Sequence, residues 1–211
     1  MNDNVLRLFE KEGNKAAEKA TILGLTNPSV LRDILKCAGS EKKRIKNASA
    51  KCLREISRIA PEKLYSNFDY FVRLINSDDN ILKWNAVYIL GDLTDVDKGN
   101  KFNLKVLEQY LGLLYDKSMI TAANTFRTLG KIALNKPHFR KKITSALLNV
   151  EFLPFSSECR NILAGTAIQA FELYIDELKD KKEILLFAQK HLKNRRNGTR
   201  KKAERFIKNY S

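Results

Sequence analysis

A chain of 211 residues, 44% of them hydrophobic and 30% charged, has the composition of a soluble globular protein and is long enough to bury a core as one domain. It has no apolar run near the roughly 18 residues that cross a membrane and no secretory signal pattern at its start, so we expect a cytoplasmic protein without membrane insertion. With 39 Lys and Arg against 24 Asp and Glu, the net charge is +15, which favours a negatively charged partner: an acidic protein, nucleic acid or an anionic membrane surface.

The chain reads as a series of helical segments, and no convincing alternating β pattern interrupts them. Residues 1–26, which contain "ATILGL", are predicted to form N-terminal capping helices. Five repeat units follow, and in each a first amphipathic segment, helix A, precedes a second one, helix B. The units are predicted at residues 27–61, 62–99, 100–137, 138–178 and 179–211. The helix A segments are, in order, "NPSVLRDILKC", "EKLYSNFDYFVRLIN", "NLKVLEQYLGLLY", "HFRKKITSALLNV" and "KKEILLFAQKHL".

The helix B segments share one register. Each has an apolar key residue, and successive key residues are 37, 39, 39 and 39 positions apart: Leu53, Leu90, Leu129, Ile168 and Ile207. A small residue stands four positions before each key: Ser49, Ala86, Thr125, Ala164 and Ala203. A large apolar residue stands three positions after it: Ile56, Leu93, Ile132, Phe171 and Tyr210. This spacing predicts one buried helix face, with a small residue where a neighbouring helix comes close.

Turn residues recur with the same period. Pro61 and Pro137 each stand eight positions after a key residue, and Gly99 lies one residue beyond the matching place in the second unit. Because proline lacks an amide hydrogen, it ends one helix or opens the next.

The helix B segments resemble the HEAT repeat family, in which a valine-like residue, a basic residue, paired small residues and an "ALGxI"-like ending mark helix B. Ile45 with Lys46, Leu82 with Lys83, and Arg200 match the first positions, whereas Ala122 and Asn161 stand where the family has a basic residue. The resemblance covers residues 29–211. It implies an all-α, right-handed α-α superhelix, a HEAT-like solenoid of five to six helical hairpins forming the single domain 1–211.

In HEAT-like arrays the B helices line the concave side. The positions six and two before each key residue, and one, two and five after it, lie opposite the core and predict a partner-binding stripe. Its members are Asn47, Lys51, Arg54, Arg58, Trp84, Tyr88, Asp92, Arg127 and Lys131. Gly130, Ala170 and Phe206 are also assigned to this surface.

Trp84 and Tyr88 lie one helical turn apart on this stripe. An indole beside a phenol can form a stacking platform for a base, a peptide side chain or a cation. The alternative is that both rings pack between adjacent B helices or against a loop.

Two basic clusters offer a second binding mode. One lies in "EKKRIKNASAKCLR" at the first helix B, and residues 190–208 hold nine Lys or Arg against one acid. The candidates for contacting a nucleic-acid backbone are Arg44, Arg195, Arg196, Arg200 and Lys201. The alternatives are a solvated helical cap and a compositional bias of the genome without a selected partner.

The stripe also resembles, loosely, that of HEAT-like alkylpurine DNA glycosylases, whose concave side carries tryptophans and an aspartate beside a basic groove. The matching residues are Trp84 for an aromatic, Asp92 or Asp95 for the acid and Arg127 for a phosphate-binding arginine. A second aromatic wall is missing, since Ala123 and Ile162 stand 39 and 78 positions after Trp84. The enzyme is therefore the weaker alternative.

Other catalytic patterns are absent from the sequence. His138 and His191 lack companion ligands at helical spacing, and Cys37, Cys52 and Cys159 include no CxxC pair, so we expect surface histidines, buried structural thiols, no metal and no cofactor. The sequence thus predicts a monomeric, non-enzymatic scaffold that holds an acidic macromolecular partner, with a protein as the leading partner and nucleic acid as the alternative.

Overall fold

The computed structural model describes residues 3–211, with side chains from residue 5 onward. Within that range the chain forms twelve α-helices joined by short turns and eight 3₁₀ segments, and it contains no strand. The all-α prediction is confirmed. In the same range, no helix combines the length and the apolarity needed to cross a membrane.

The contacts divide the chain into two compact units, the first ending at Lys101 and the second beginning at Phe102. The helices of the first unit are α1 (Asp3–Glu12), α2 (Ala17–Thr26), α3 (Pro28–Cys37), α4 (Lys43–Ile59), α5 (Phe68–Leu74) and α6 (Asn80–Leu93). Those of the second are α7 (Leu104–Gly112), α8 (Met119–Asn135), α9 (Arg140–Leu148), α10 (Ser157–Phe171), α11 (Lys182–Lys190) and α12 (Asn197–Tyr210). The predicted B helices correspond to α4, α6, α8, α10 and α12. That all of these helices form one domain stays a prediction.

Local chemistry sets the helix starts. Asn27 caps α3 by accepting a hydrogen bond from the amide of Ser29 at 2.9 Å, and Pro28 occupies the first turn, where no amide donor is needed. Pro61 and Pro137 both open 3₁₀ segments directly after a B helix, as their equivalent positions predict. Side-chain caps also begin α6, α7, α8 and α10, at Asp79, Asn103, Ser118 and Ser156.

Within each unit the B helices pack side by side. In the first unit α4 lies between α6 and α2, a helix of the predicted N-terminal cap, and in the second α10 lies between α8 and α12. The key residues of the first four B helices are at most 1% exposed, and the small residues four positions earlier are equally buried. The predicted register is confirmed for these four helices.

The fifth B helix differs from the prediction by one residue. Phe206, which was assigned to the binding surface, is fully buried, and the expected key residue Ile207 is only half-buried. Positions three and four residues after Ala203 lie on the same side of the helix. The larger aromatic ring takes the core position and contacts Tyr210 with ring centroids 4.8 Å apart.

Some positions assigned to the binding surface lie between B helices instead. A Cβ on Gly130 would stand 2.5 Å from the carbonyl oxygen of Ala170, so the α8 and α10 backbones touch there. The next pair of B helices is similarly close, since a Cβ on Gly165, which was not assigned to the surface, would stand 2.8 Å from the hydroxyl of Thr199 on α12. The assignment of Gly130 and Ala170 to an open surface is therefore wrong, because helices packed this closely bury the flank as well as the core face.

Candidate partner-binding surface

The polar face of the first unit is built between α4 and α6. The guanidinium carbon of Arg54 lies 3.6 Å from the centre of the Tyr88 ring, a cation–π contact. One turn further along both helices, the hydroxyl of Ser57 donates a hydrogen bond of 2.8 Å to the Asp92 carboxylate. Three residues of the predicted stripe, on two helices, are thus brought together. Arg54 covers one face of the Tyr88 ring.

An ion pair positions α6 against α4. Asp79 accepts hydrogen bonds from the amides of Ile81 and Leu82, and Lys46 of α4 pairs with the same carboxylate. Partial burial raises the pKa of Asp79, but the hydrogen bond and charge of Lys46 and the two amides outweigh it and hold that pKa below its usual value. Lys46, the basic residue that matches the HEAT pattern, therefore anchors the next B helix.

Trp84 is partly exposed on α6, one turn before Tyr88. We expect its fluorescence to be quenched by acrylamide to an intermediate degree, because solvent reaches part of the indole. The chain has one tryptophan, so the emission reports this residue alone. A strongly blue-shifted emission that resists acrylamide would contradict this expectation and remove Trp84 from the binding surface.

A groove of about 670 Å³ lies between α2 and α4, and we call it the α2/α4 groove. It contains two large and unusually exposed apolar side chains, Ile22 at 60% and Ile59 at 53%. Lys51 and Arg58, predicted as partner-binding residues, line it together with Lys15. Its two acids are Glu18 and Glu55, the second of which pairs with Arg58 at 3.1 Å. Sequence reasoning missed Ile22 and Ile59, since each helix alone does not reveal that they face a common cavity.

The second unit carries basic side chains over α10. The Lys202 chain lies against the helix, where a Cβ on Gly165 would be 3.3 Å from its Cδ. Burial lowers the pKa of Lys202, and the positive charges of Arg127 and Arg205 lower it further. Arg205 holds both carboxylate oxygens of Glu172 at 2.9 Å. Arg127 on α8 therefore lies near enough to Lys202 for their positive charges to interact. Lys131 is half-buried one turn further along α8.

Several candidates for nucleic-acid contact have structural partners. Arg44 donates to the carbonyl of Lys11 at 2.6 Å, which ties α4 to the end of α1. Arg200 donates to the carbonyl of Asn194 at 2.8 Å and stabilises the turn before α12, and Arg196 pairs with Glu158.

The remaining predicted residues are solvent-accessible. Arg195 and Lys201 are exposed, and neither forms an ion pair with a described residue. Asn47 is half-buried and lines a shallow cavity beside Asp79.

The predictions of surface histidines and buried cysteines are correct for some of these residues and wrong for others. His138 is exposed, but the prediction of a surface position for His191 is wrong: it is buried against the Phe187 ring, and its Nδ1 lies 3.0 Å from the Asn194 amide nitrogen. Cys37 and Cys52 are buried, and burial raises the pKa of Cys52 to about 12, which makes it a poor nucleophile. Among residues 3–211, no three His, Cys, Asp or Glu side chains are grouped to hold a metal ion.

The fold has counterparts among solved structures, although no protein-family model and no curated protein matches the sequence. Two crystal structures of engineered proteins from the Northeast Structural Genomics Consortium match with TM-scores of 0.58 and 0.61 at 17% and 18% identity. Each match covers 99% of this chain, with 96% and 98% of the engineered chains. A designed armadillo repeat protein in complex with the peptide (KR)4 matches with a TM-score of 0.63 at 16% identity, over 98% of this chain and 91% of the other.

These likenesses concern the fold, because the identities are low. The chain has the all-α fold of helical-repeat solenoids, and that prediction is confirmed. The narrower resemblance to HEAT repeats stays a prediction.

Proposed function

We propose that this protein is a non-enzymatic binding scaffold that holds a segment of an acidic protein partner in the groove between α2 and α4. The α2/α4 groove carries the proposal. Single exposed apolar side chains are ordinary, but Ile22 and Ile59 line one concave site, which is where proteins bind ligands and partners. Covering them with an apolar side chain of a partner would contribute affinity at about 25 cal/mol per Å² of buried apolar surface.

The charge around the groove favours an acidic segment. Lys15 and Lys51 are exposed and form no ion pair with a described residue. A carboxylate of the partner beside either lysine adds specificity and speeds association more than it adds affinity. The apolar side chains would therefore anchor the partner, and the lysines would select an acidic one.

The fold is compatible with this role. The designed armadillo repeat protein that it resembles is in complex with the basic peptide (KR)4. This chain carries a net charge of +15, so electrostatic complementarity favours a segment of the opposite sign here.

The proposal is tested by capturing partners from the source organism, with nuclease treatment, on the parent and on two variants. Lys15→Glu/Lys51→Glu reverses the charge of the groove, and Ile59→Ser removes an apolar anchor. We expect each to reduce the captured protein by about tenfold, because each removes one of the two contributions to binding. Lys15, Lys51 and Ile59 are all exposed, so folding should be nearly unaffected.

The matched control is Lys19→Glu/Lys63→Glu, which makes the same charge change at two exposed lysines of the first unit outside the groove. It should capture as much partner as the parent. Equal capture by the parent, the groove variants and the control would overturn the proposal.

Nucleic acid is the second candidate, and the exposed Arg195 and Lys201 favour it. In that case nuclease would abolish capture. The affinity for duplex DNA would then fall with salt with a log-log slope of about 0.9 per phosphate contacted.

A further inference from the structure

A second groove, of about 610 Å³, lies in the other unit between the A helices α7 and α9, and we call it the α7/α9 groove. Its volume is within the range of roughly 300–1,000 Å³ that is typical of ligand sites. Leu111 is half-buried and contributes apolar surface, Leu114 lies beneath it and is only 2% exposed, and the Tyr115 ring stands 59% exposed at the edge. An exposed aromatic side chain beside an apolar depression is an arrangement typical of binding hot spots.

The charged side chains that line this groove are all basic. Lys141, Lys142 and His138 line it, and none of the described residues that line it is Asp or Glu. Lys141 is exposed and forms no ion pair with a described residue. Lys142 pairs at 2.8 Å with Glu108, which stands outside the groove on α7.

We propose that the α7/α9 groove is a further binding site, which takes a short peptide segment carrying acidic residues around one large apolar side chain. The apolar side chain would pack against Leu111 and the Tyr115 ring. The flanking carboxylates would lie beside Lys141, and beside Lys142 in competition with Glu108. This site lies in a different unit from the α2/α4 groove and does not depend on the function proposed above.

A peptide fits this combination better than a phosphate-rich ligand or a lipid surface does. A phosphate backbone would use the lysines and leave the apolar lining uncovered, and a flat anionic membrane would not enter a concave site. An acidic peptide with an apolar anchor satisfies both parts of the lining, since its side chains carry both kinds of group.

The test uses fluorescein-labelled peptides and fluorescence anisotropy on the full chain. The probe is Asp-Glu-Phe-Asp-Leu-Glu-Asp, compared with a version carrying Ser in place of Phe and Leu and with one carrying Lys in place of every acid. We expect the probe to bind the parent and both comparison peptides to bind at least about tenfold more weakly, because each lacks one of the two complementary features.

Variants then locate the site. Lys141→Glu and Tyr115→Ala should each weaken probe binding by about tenfold, whereas Lys105→Glu, an exposed charge reversal on α7 outside the groove, should change it by less than about twofold. Glu108→Gln should act in the opposite direction and strengthen binding by a few-fold, because it releases Lys142. The unchanged circular dichroism spectrum of each variant would show that it is folded.

Four outcomes would overturn the inference, and the last of them concerns the class of ligand. The first is that the probe does not bind the parent at about 0.15 M salt, and the second is that Lys141→Glu and Tyr115→Ala bind it as well as the parent does. The third is that Lys15→Glu/Lys51→Glu abolishes probe binding while Lys141→Glu does not, which would place the peptide in the α2/α4 groove. Preferential binding to vesicles of phosphatidylserine and phosphatidylcholine, or to single-stranded DNA, that is lost in Lys141→Glu would assign the groove to another ligand class.

Discussion

Replacing Leu129 with Ala should lower the free energy of unfolding by about 2–5 kcal/mol, the usual cost of a large-to-small change in a packed core. Leu129 is fully buried in α8, and its register position recurs in the other B helices. The loss combines the transfer free energy of the deleted carbons with the cost of the cavity, which the neighbouring helices cannot close completely. Urea denaturation followed by far-UV circular dichroism measures it.

Leu134→Ala is the matched control, since Leu134 lies on the same helix and is 39% exposed. Its cost should stay below about 1 kcal/mol, because Ala favours the helix and little cavity forms. Equal destabilisation by the two substitutions would show that Leu129 does not occupy a packed core position. Leu90→Ala should repeat the large loss in the first unit.

Gly130→Ala should be destabilising although Ala favours helices over Gly. The new Cβ would stand 2.5 Å from the carbonyl oxygen and 2.8 Å from the Cα of Ala170, and both are backbone atoms that cannot rotate away. The α8 and α10 helices would have to separate locally, which loosens the side chains packed around the contact. We expect a loss of about 1–3 kcal/mol, the range for overpacking a close-packed site.

Gly112→Ala provides the opposite case. Gly112 ends α7 with helical backbone angles, and a Cβ there would meet no described atom within 4 Å. This substitution should raise the free energy of unfolding by about 0.4–1 kcal/mol, because it restricts the unfolded chain without straining the folded one. Denaturation curves for both variants give the comparison. A stabilising Gly130→Ala would mean that α8 and α10 do not touch at this point.

The all-α class and the register of four B helices could be predicted because they depend on local periodicity. An apolar residue every three or four positions makes one buried face, and that is why Leu53 and Leu129 could be placed in the core. Asn27 and Pro61 mark helix starts through chemistry that acts within a few residues. The buried face of the last helix could not be predicted in this way. Phe206 and Ile207 both stand at helical spacing from Ala203, and only packing decides which of the two is buried.

The arrangement of the residues in the predicted stripe followed in part from the sequence. That Arg54, Tyr88 and Asp92 share one region follows from their positions opposite the core face of two successive B helices. Their partners do not follow: the cation–π contact with Tyr88 and the hydrogen bond from Ser57 depend on the offset between α4 and α6. The partner of Arg44 could not be predicted either, because it is a backbone carbonyl at the end of α1. Arg44 therefore contributes to the fold.

The sequence by itself determined which residues form helices, where most of these helices begin, and which face of most B helices is buried, because those properties arise from contacts between near neighbours in the chain. Only the tertiary structure decided that Gly130 lies against a neighbouring backbone and that His191 is buried. It also decided that Ile22 and Ile59, from two helices, line one groove. These depend on the distance and angle at which helices pack, and a one-dimensional pattern does not specify either quantity.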